Sequence, residues 1–201
     1  MRDPVSTIKE FVPGAALPLL SKYLELWKVN ILISRKRISK HGDFRAYPNG
    51  GHRITVNQTS NPYRFLITTL HEIAHLVTFL NHGVGIKPHG IAWKKTYQKI
   101  MQPFLTEDIF PEKLLTALLH HFKNPKASSD SDLTLSLALN KYEAENEKNY
   151  IFELEQGVIF EIHNGKKFVM GKKRVKRFEC RELSSRRIYL FSPNAQVKKI
   201  E

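Results

Sequence analysis

The chain has 201 residues, 41% of them hydrophobic and 25% charged, with a formal net charge of +13. That balance is ordinary for a globular protein, and no apolar run approaches the roughly 20 residues of a membrane-spanning helix. Cys180 is the only cysteine, so an internal disulfide is excluded. The most apolar early stretch, residues 12–20, is broken by Pro13, Gly14 and Pro18 and does not read as a signal peptide; a cytoplasmic location is expected.

In chain order, Leu17, Leu20, Leu24 and Trp27 recur at helical spacing and predict an opening helix over 15–26. Residues 29–33, 44–47 and 53–56 are strand-like, the last two flanking the turn Pro48-Asn49-Gly50-Gly51, so a short antiparallel sheet is expected. Asn61 is a favourable N-cap, and Pro62 fits the first helical position, where its missing N–H costs nothing. From there the chain runs without Gly or Pro to His82, with Leu66, Leu70, Ile73, Ala74, Val77 and Leu80 forming an apolar stripe. Gly83 and Gly85 are expected to end this helix.

On that helix His71-Glu72-Ile73-Ala74-His75 places two imidazoles four residues apart, on one face and within reach of one metal. A catalytic zinc takes three protein ligands and leaves a fourth position to water. Glu72, next to the first ligand, is placed to accept that water's proton. For the third ligand, His82 stands seven residues after His75, whereas the extended metzincin pattern needs a His where this chain has Asn81 and a Gly where it has Thr78. Glu107 and Glu112 lack a supporting local pattern. His89 is better placed, after a Gly-rich turn and at the start of a second helical segment, 91–101, with Ile91, Trp93, Tyr97 and Ile100 as packing residues. Trp93 reads as a packing anchor, and the histidines at 41, 52, 82, 120, 121 and 163 as surface or packing residues. The sequence assigns no oxyanion stabiliser beyond the metal; Tyr63, Tyr97 and His82 are the candidates.

HEIAH, the later HGIAWKK and the upstream GGHRITVN of residues 50–57, in this order, resemble the SprT-like metalloprotease family, which includes bacterial SprT proteins and the Spartan DNA–protein crosslink proteases. The resemblance covers roughly residues 1–125. It implies a zincin-like fold, zinc held by His71, His75 and His89, and Glu72 as general base. An edge strand beside such a site can pair with an extended peptide. Residues 42–47 are the candidate, and an ordinary solvent-facing hairpin is the equal alternative.

Beyond Pro103, residues 111–122 predict a helix, 126–132 a Ser/Asp linker and 133–148 a further helix. From about Tyr150 the runs 151–154, 158–162, 167–170, 175–180 and 187–191 predict a compact antiparallel β module. Between His163 and Glu201, twelve Lys or Arg face three Glu. Lys172, Lys173, Arg174, Lys176, Arg177, Arg181, Arg186 and Arg187 interleave with Phe168, Phe178 and Tyr189, a mixture that neutralises phosphates and offers stacking faces, so DNA or another nucleic acid is the expected partner. Many SprT-like proteins carry a zinc ribbon with two Cys pairs in this region; one cysteine cannot supply it.

The expectation is therefore an α+β chain: a zincin-like metalloprotease domain over 1–125, a linker and helix over 126–149, and a basic β module over 150–201. It would act as a zinc endopeptidase on protein substrates near nucleic acid, without a membrane. The rivals are a nucleic-acid-binding protein whose zinc site is structural or vestigial and a metal hydrolase that is not a peptidase.

Overall fold

The structure is a computed structural model that describes residues 8–35, 37, 40–47, 50–143 and 149–200. It is α+β and divides into two compact units, Met1–Ala144 and Glu145–Glu201. Among the described residues no helix is long and apolar enough to cross a membrane.

In the first unit, α1 (Leu17–Leu26) follows a 3-10 turn at Gly14–Ala16, and β1 (Ile31–Ser34), β2 (Gly42–Ala46) and β3 (His52–Asn57) form a sheet of order β1-β3-β2. The β2–β3 pair is the expected hairpin, closed by Tyr47 N–H donating to the Gly51 carbonyl, with Gly50 at φ +80°. Pro48 and Asn49 of the expected turn lie outside the described residues. The sheet is mixed rather than antiparallel, because β1 runs parallel to β3. Its central strand β3 buries Ile54, Thr55, Val56 and Asn57 in succession, as a strand covered on both faces must. Asn57 fastens the β1–β2 crossover: its Oδ1 accepts from Ser34 Oγ and Arg37 Nε, and its Nδ2 donates to the Lys40 carbonyl at 2.6 Å.

Helix α2 (Pro62–His82) packs on β2 and β3 and against α3 (Ile91–Met101). Its ends form as the residues dictate. Asn61 Oδ1 accepts from the Arg64 N–H at 3.0 Å, and Gly83, at φ +74°, donates its N–H to the Phe79 carbonyl. The helix is buried on more than one stripe: Phe65, Leu66, Leu70, Ile73, Ala74 and Leu76 are all fully buried, whereas Leu80, assigned to the stripe from its spacing, is exposed. Ile91 likewise stands in water, while Trp93, Tyr97 and Ile100 pack as expected.

Helix α4 (Glu112–His121) packs on α5 (Leu133–Asn140), which is shorter than the expected 133–148; residues 144–148 lie outside those described. The stretch 126–132 is part of the first unit rather than a free linker, and the unit extends well past residue 125. Its Ser129–Ser131 turn is tied in by carboxylates. Arg64, only 6% exposed, donates Nη1 to Asp130 at 3.0 Å, Nε to Glu143 at 2.6 Å and Nη2 to Asn140 Oδ1 at 2.6 Å. A buried guanidinium must find acceptors, and only the folded-back chain from 130 to 143 supplies them. That requirement is invisible in a Ser/Asp-rich composition.

The second unit is a sheet of order β4-β9-β5-β6-β7-β8, formed by β4 (Asn149–Tyr150), β5 (Ile159–Glu161), β6 (Lys167–Lys173), β7 (Phe178–Glu182), β8 (Ile188–Phe191) and β9 (Gln196–Lys199). Among the described residues its strand pairings are antiparallel. Residues 151–154, expected as a strand, instead form a 3-10 turn at Ile151–Glu153, and β9 was not anticipated. Ile151, Phe160, Phe168, Met170, Cys180 and Val197 make a separate small core, in which Cys180 is a buried free thiol.

Asn61 also donates Nδ2 to the Leu139 carbonyl at 2.7 Å while fully buried. Asn61→Ala therefore removes both a helix cap and the partner of a buried carbonyl, and should destabilise the first unit by about 2–3 kcal/mol in urea unfolding.

Candidate metal centre

His71 and His75 project from α2 four residues apart, and His89 precedes Gly90, the N-cap of α3. His89 sits not on the helix but in the turn before it, with φ +57°, a left-handed conformation costly for a non-glycine residue. Gly90 makes the turn possible: its N–H donates to the Lys87 carbonyl, and a Cβ there would lie 2.9 Å from that oxygen. The turn carries the His89 ring back toward α2.

The three Nε2 atoms converge. His71 and His89 are 3.1 Å apart, His75 and His71 3.2 Å, and His75 and His89 3.0 Å. Four-coordinate metal–imidazole geometry, with bonds of about 2.0–2.1 Å, places ligand nitrogens roughly 3.3 Å from one another, so the donor set fits. Among the described residues this is the group able to hold a metal ion. Burial, followed by the neighbouring rings, pushes His71 well below the ordinary histidine value and His75 down to about 4; burial also lowers His89. The imidazoles are therefore neutral near pH 7, as ligation requires. A converging set of three neutral imidazoles suits a cation.

Trp93, 1% exposed, touches all three rings, with centroid distances of 4.7 Å to His71, 5.2 Å to His75 and 4.7 Å to His89. The packing anchor read from the sequence is thus the common backing of the three candidate ligands. Tyr97 packs edge-on to His71 and donates its hydroxyl to the Ile67 carbonyl at 3.1 Å. That bond commits Tyr97 to holding α3 on α2. Of the other suggested oxyanion groups, Tyr63 packs on Phe110 and Tyr142, and His82 is exposed and lines a different groove.

Glu72 is 5% exposed and lines the same cleft of about 720 Å³ as the three histidines. Burial, with Asp43 nearby, raises its pKa to about 8, opposed by a backbone hydrogen bond from Phe44. Strand β2 lies directly over it: a Cβ on Gly42 would be 2.8 Å from Thr68 Cγ2 and 2.9 Å from Glu72 Oε1. Glycine in a strand signals close approach of another group, so HGDFR carried a cue that the histidine motifs overshadowed. Asp43 itself, which burial alone would raise, is held low by Arg37 and Lys40.

Two histidines read as surface or packing residues also face this cleft, each held by a carboxylate of the 126–132 stretch. His41 Nε2 lies 2.6 Å from Asp130, and buried His121 Nδ1 lies 2.9 Å from Asp132. Burial alone would raise Asp130, but the bond to His41 and the charge of Arg64 bring it down to about 2. No spacing rule connects residues 41 and 130, so sequence offered no signal for that pair. The eight basic residues proposed for nucleic acid are all exposed in the second unit, five around the β6–β7 turn, Arg181 on β7, and Arg186 and Arg187 before β8.

The chain matches no protein-family model, no curated protein and no solved structure.

A carboxyl whose folded pKa is raised binds its proton more tightly in the folded state, so its stabilising effect is full below about 4.5 and is lost as pH rises through about 8. Metal-free protein should therefore lose thermal stability across that window, and metal-free Glu72→Gln should lose less, with the gap between their melting temperatures widening up to about pH 8.

Proposed function

We propose that the chain is a zinc-dependent metallopeptidase of the SprT-like kind, with a zincin-like first unit, that hydrolyses protein backbone near nucleic acid in the cytoplasm. The observation that carries this reading is the convergence of His71, His75 and His89 Nε2 within 3.2 Å, in a cleft that also holds a buried glutamate. An all-imidazole set of three favours zinc, and three donors rather than four are the mark of a catalytic site.

When bound, the ion supplies Lewis acidity, polarising a carbonyl and making water acidic near neutral pH. The remaining steps fall to the chain. Glu72 is a carboxyl kept uncharged by burial in the metal-free protein, and a nearby cation favours its ionised, basic form. It then accepts the attacking water's proton and returns it to the departing amine nitrogen. Gly42 and the Phe44 N–H hold that carboxylate in place. Strand β2 is a sheet edge whose Gly42, Asp43, Phe44 and Ala46 line the cleft, which suits an extended peptide adding as a further strand. Recognition would then read backbone, and a broad range of unfolded segments would serve as substrate. The basic second unit supports the nucleic-acid association, and the single buried Cys180 suits a reducing compartment.

Purified protein should carry about one zinc per chain by plasma mass spectrometry. Glu72→Gln should keep that zinc yet cleave an unfolded protein at least about 100-fold more slowly, and His89→Ala should lose the zinc. Cleavage undiminished in Glu72→Gln would remove the base assigned here. Zinc-loaded parent protein that cleaves nothing would instead favour the rival, a nucleic-acid-binding protein with a structural or vestigial zinc site.

A further inference from the structure

The β6–β7 hairpin projects a dense block of charge: Lys172, Lys173, Arg174, Lys176 and Arg177 are all exposed. The two carboxylates on the adjoining β7 are already engaged, Glu179 by Arg174 and Glu182 by Lys166 and Ser185. Among the described residues no ion pair engages Lys172, Lys176, Arg177 or Arg181. Beyond those two pairs this side of the unit carries an excess of positive charge, and its natural complement is a polyanion.

At the apex, the Arg174 N–H donates to the Arg177 carbonyl at 2.7 Å, which leaves Val175 and Lys176 as the turn. Val175 is 92% exposed. An apolar side chain held out between cations gains nothing from this fold and is available to a partner. The ribbon beneath it is shaped by a slip in register between Met170 and Lys173. Only glycine fits there, since a Cβ on Gly171 would lie 2.4 Å from the Glu179 carbonyl oxygen. Such bulges increase local twist and re-aim the tip of a hairpin.

Of the aromatic residues that the sequence offered for base stacking, Phe168 is closed at 1% exposure, Phe178 is half-buried with Lys173 Nζ 5.8 Å from its ring, and Tyr189 on β8 is 37% exposed with its ring against Phe168. The hairpin tip itself, Val175 and Lys176, offers no aromatic platform. Binding of splayed single strands depends on such open platforms. Cations around a protruding apolar residue match instead the chemistry of minor-groove binders, which neutralise flanking phosphates and wedge an apolar side chain between base steps. The grooves of A-form RNA suit this less, one being too deep and narrow for side chains and the other shallow.

We propose that the β6–β7 hairpin is an arm for the minor groove of duplex DNA, with Lys172, Lys176 and Arg177 on phosphates and Val175 as the wedge that bends the duplex. The proposal rests on the nucleic-acid half of the functional reading and is independent of the peptidase half.

The test is binding of the full chain to a labelled DNA duplex of about 20 base pairs, the matching single strand and the matching RNA duplex over a salt series. Duplex DNA should bind at least about tenfold tighter than either alternative. Lys176→Gln/Arg177→Gln should flatten the slope of log affinity against log salt by about 1.8, for two phosphate contacts. Val175→Ala should keep the slope, weaken binding about tenfold and reduce the end-to-end shortening of doubly labelled DNA. These side chains are exposed, and unchanged circular dichroism would confirm folding. Tip variants that bind duplex DNA like the parent overturn the arm alone. Equal or tighter binding of single strand, RNA duplex or phosphatidylserine vesicles overturns the choice of duplex DNA. Absence of any nucleic-acid binding removes the association altogether and leaves cleavage by Glu72 to be judged on its own.

Discussion

Three neutral imidazole nitrogens, held within 3.2 Å of one another, set the constraint to which the first unit is built. What keeps them together is packing: Trp93 lies against all three, Tyr97 braces His71 while bonding to the Ile67 carbonyl, and a left-handed backbone at His89 directs the third ring inward. Burial also lowers the pKa of His71 and His75, favouring the neutral form that ligation needs.

Burial has the opposite effect on the carboxyl next door. Burial that lowers His75 to about 4, and so suits it to ligation, also raises Glu72 to about 8; the glutamate takes its proposed basic form only with a cation beside it. Close packing of β2 is part of that environment. Gly42 lets the strand approach the helix, and Asn57 holds the crossover that leads into it. In the first turn of α2, buried Arg64 draws residues 130, 140 and 143 onto the helix, and with them a wall of the cleft.

The second unit obeys a different logic. Its small core is apolar, and its charge lies on exposed side chains with few internal partners. A basic composition is compatible with stacking platforms or with phosphate grips. The fold bears on the choice by burying Phe168, half-burying Phe178 and placing Val175 rather than an aromatic ring at the hairpin tip, while Tyr189 on β8 keeps 37% exposure.

What was legible in the sequence was local. Helix α2, with its Asn61 cap and Gly83 stop, follows from residue types a few positions apart, and so do the shared face of His71 and His75 and the hairpin of β2 and β3. His89 was reachable because a Gly-rich turn limits how far the chain can travel in fourteen residues. Tertiary structure alone decided the parallel pairing of β1, the burial of nearly every side of α2 and the His41–Asp130 contact across 89 residues. It also turned a Ser/Asp-rich stretch into part of the cleft. The physical reason is that capping and periodicity act over one or two turns of chain, whereas pairing of buried charges and exclusion of water depend on segments that only the completed fold brings together.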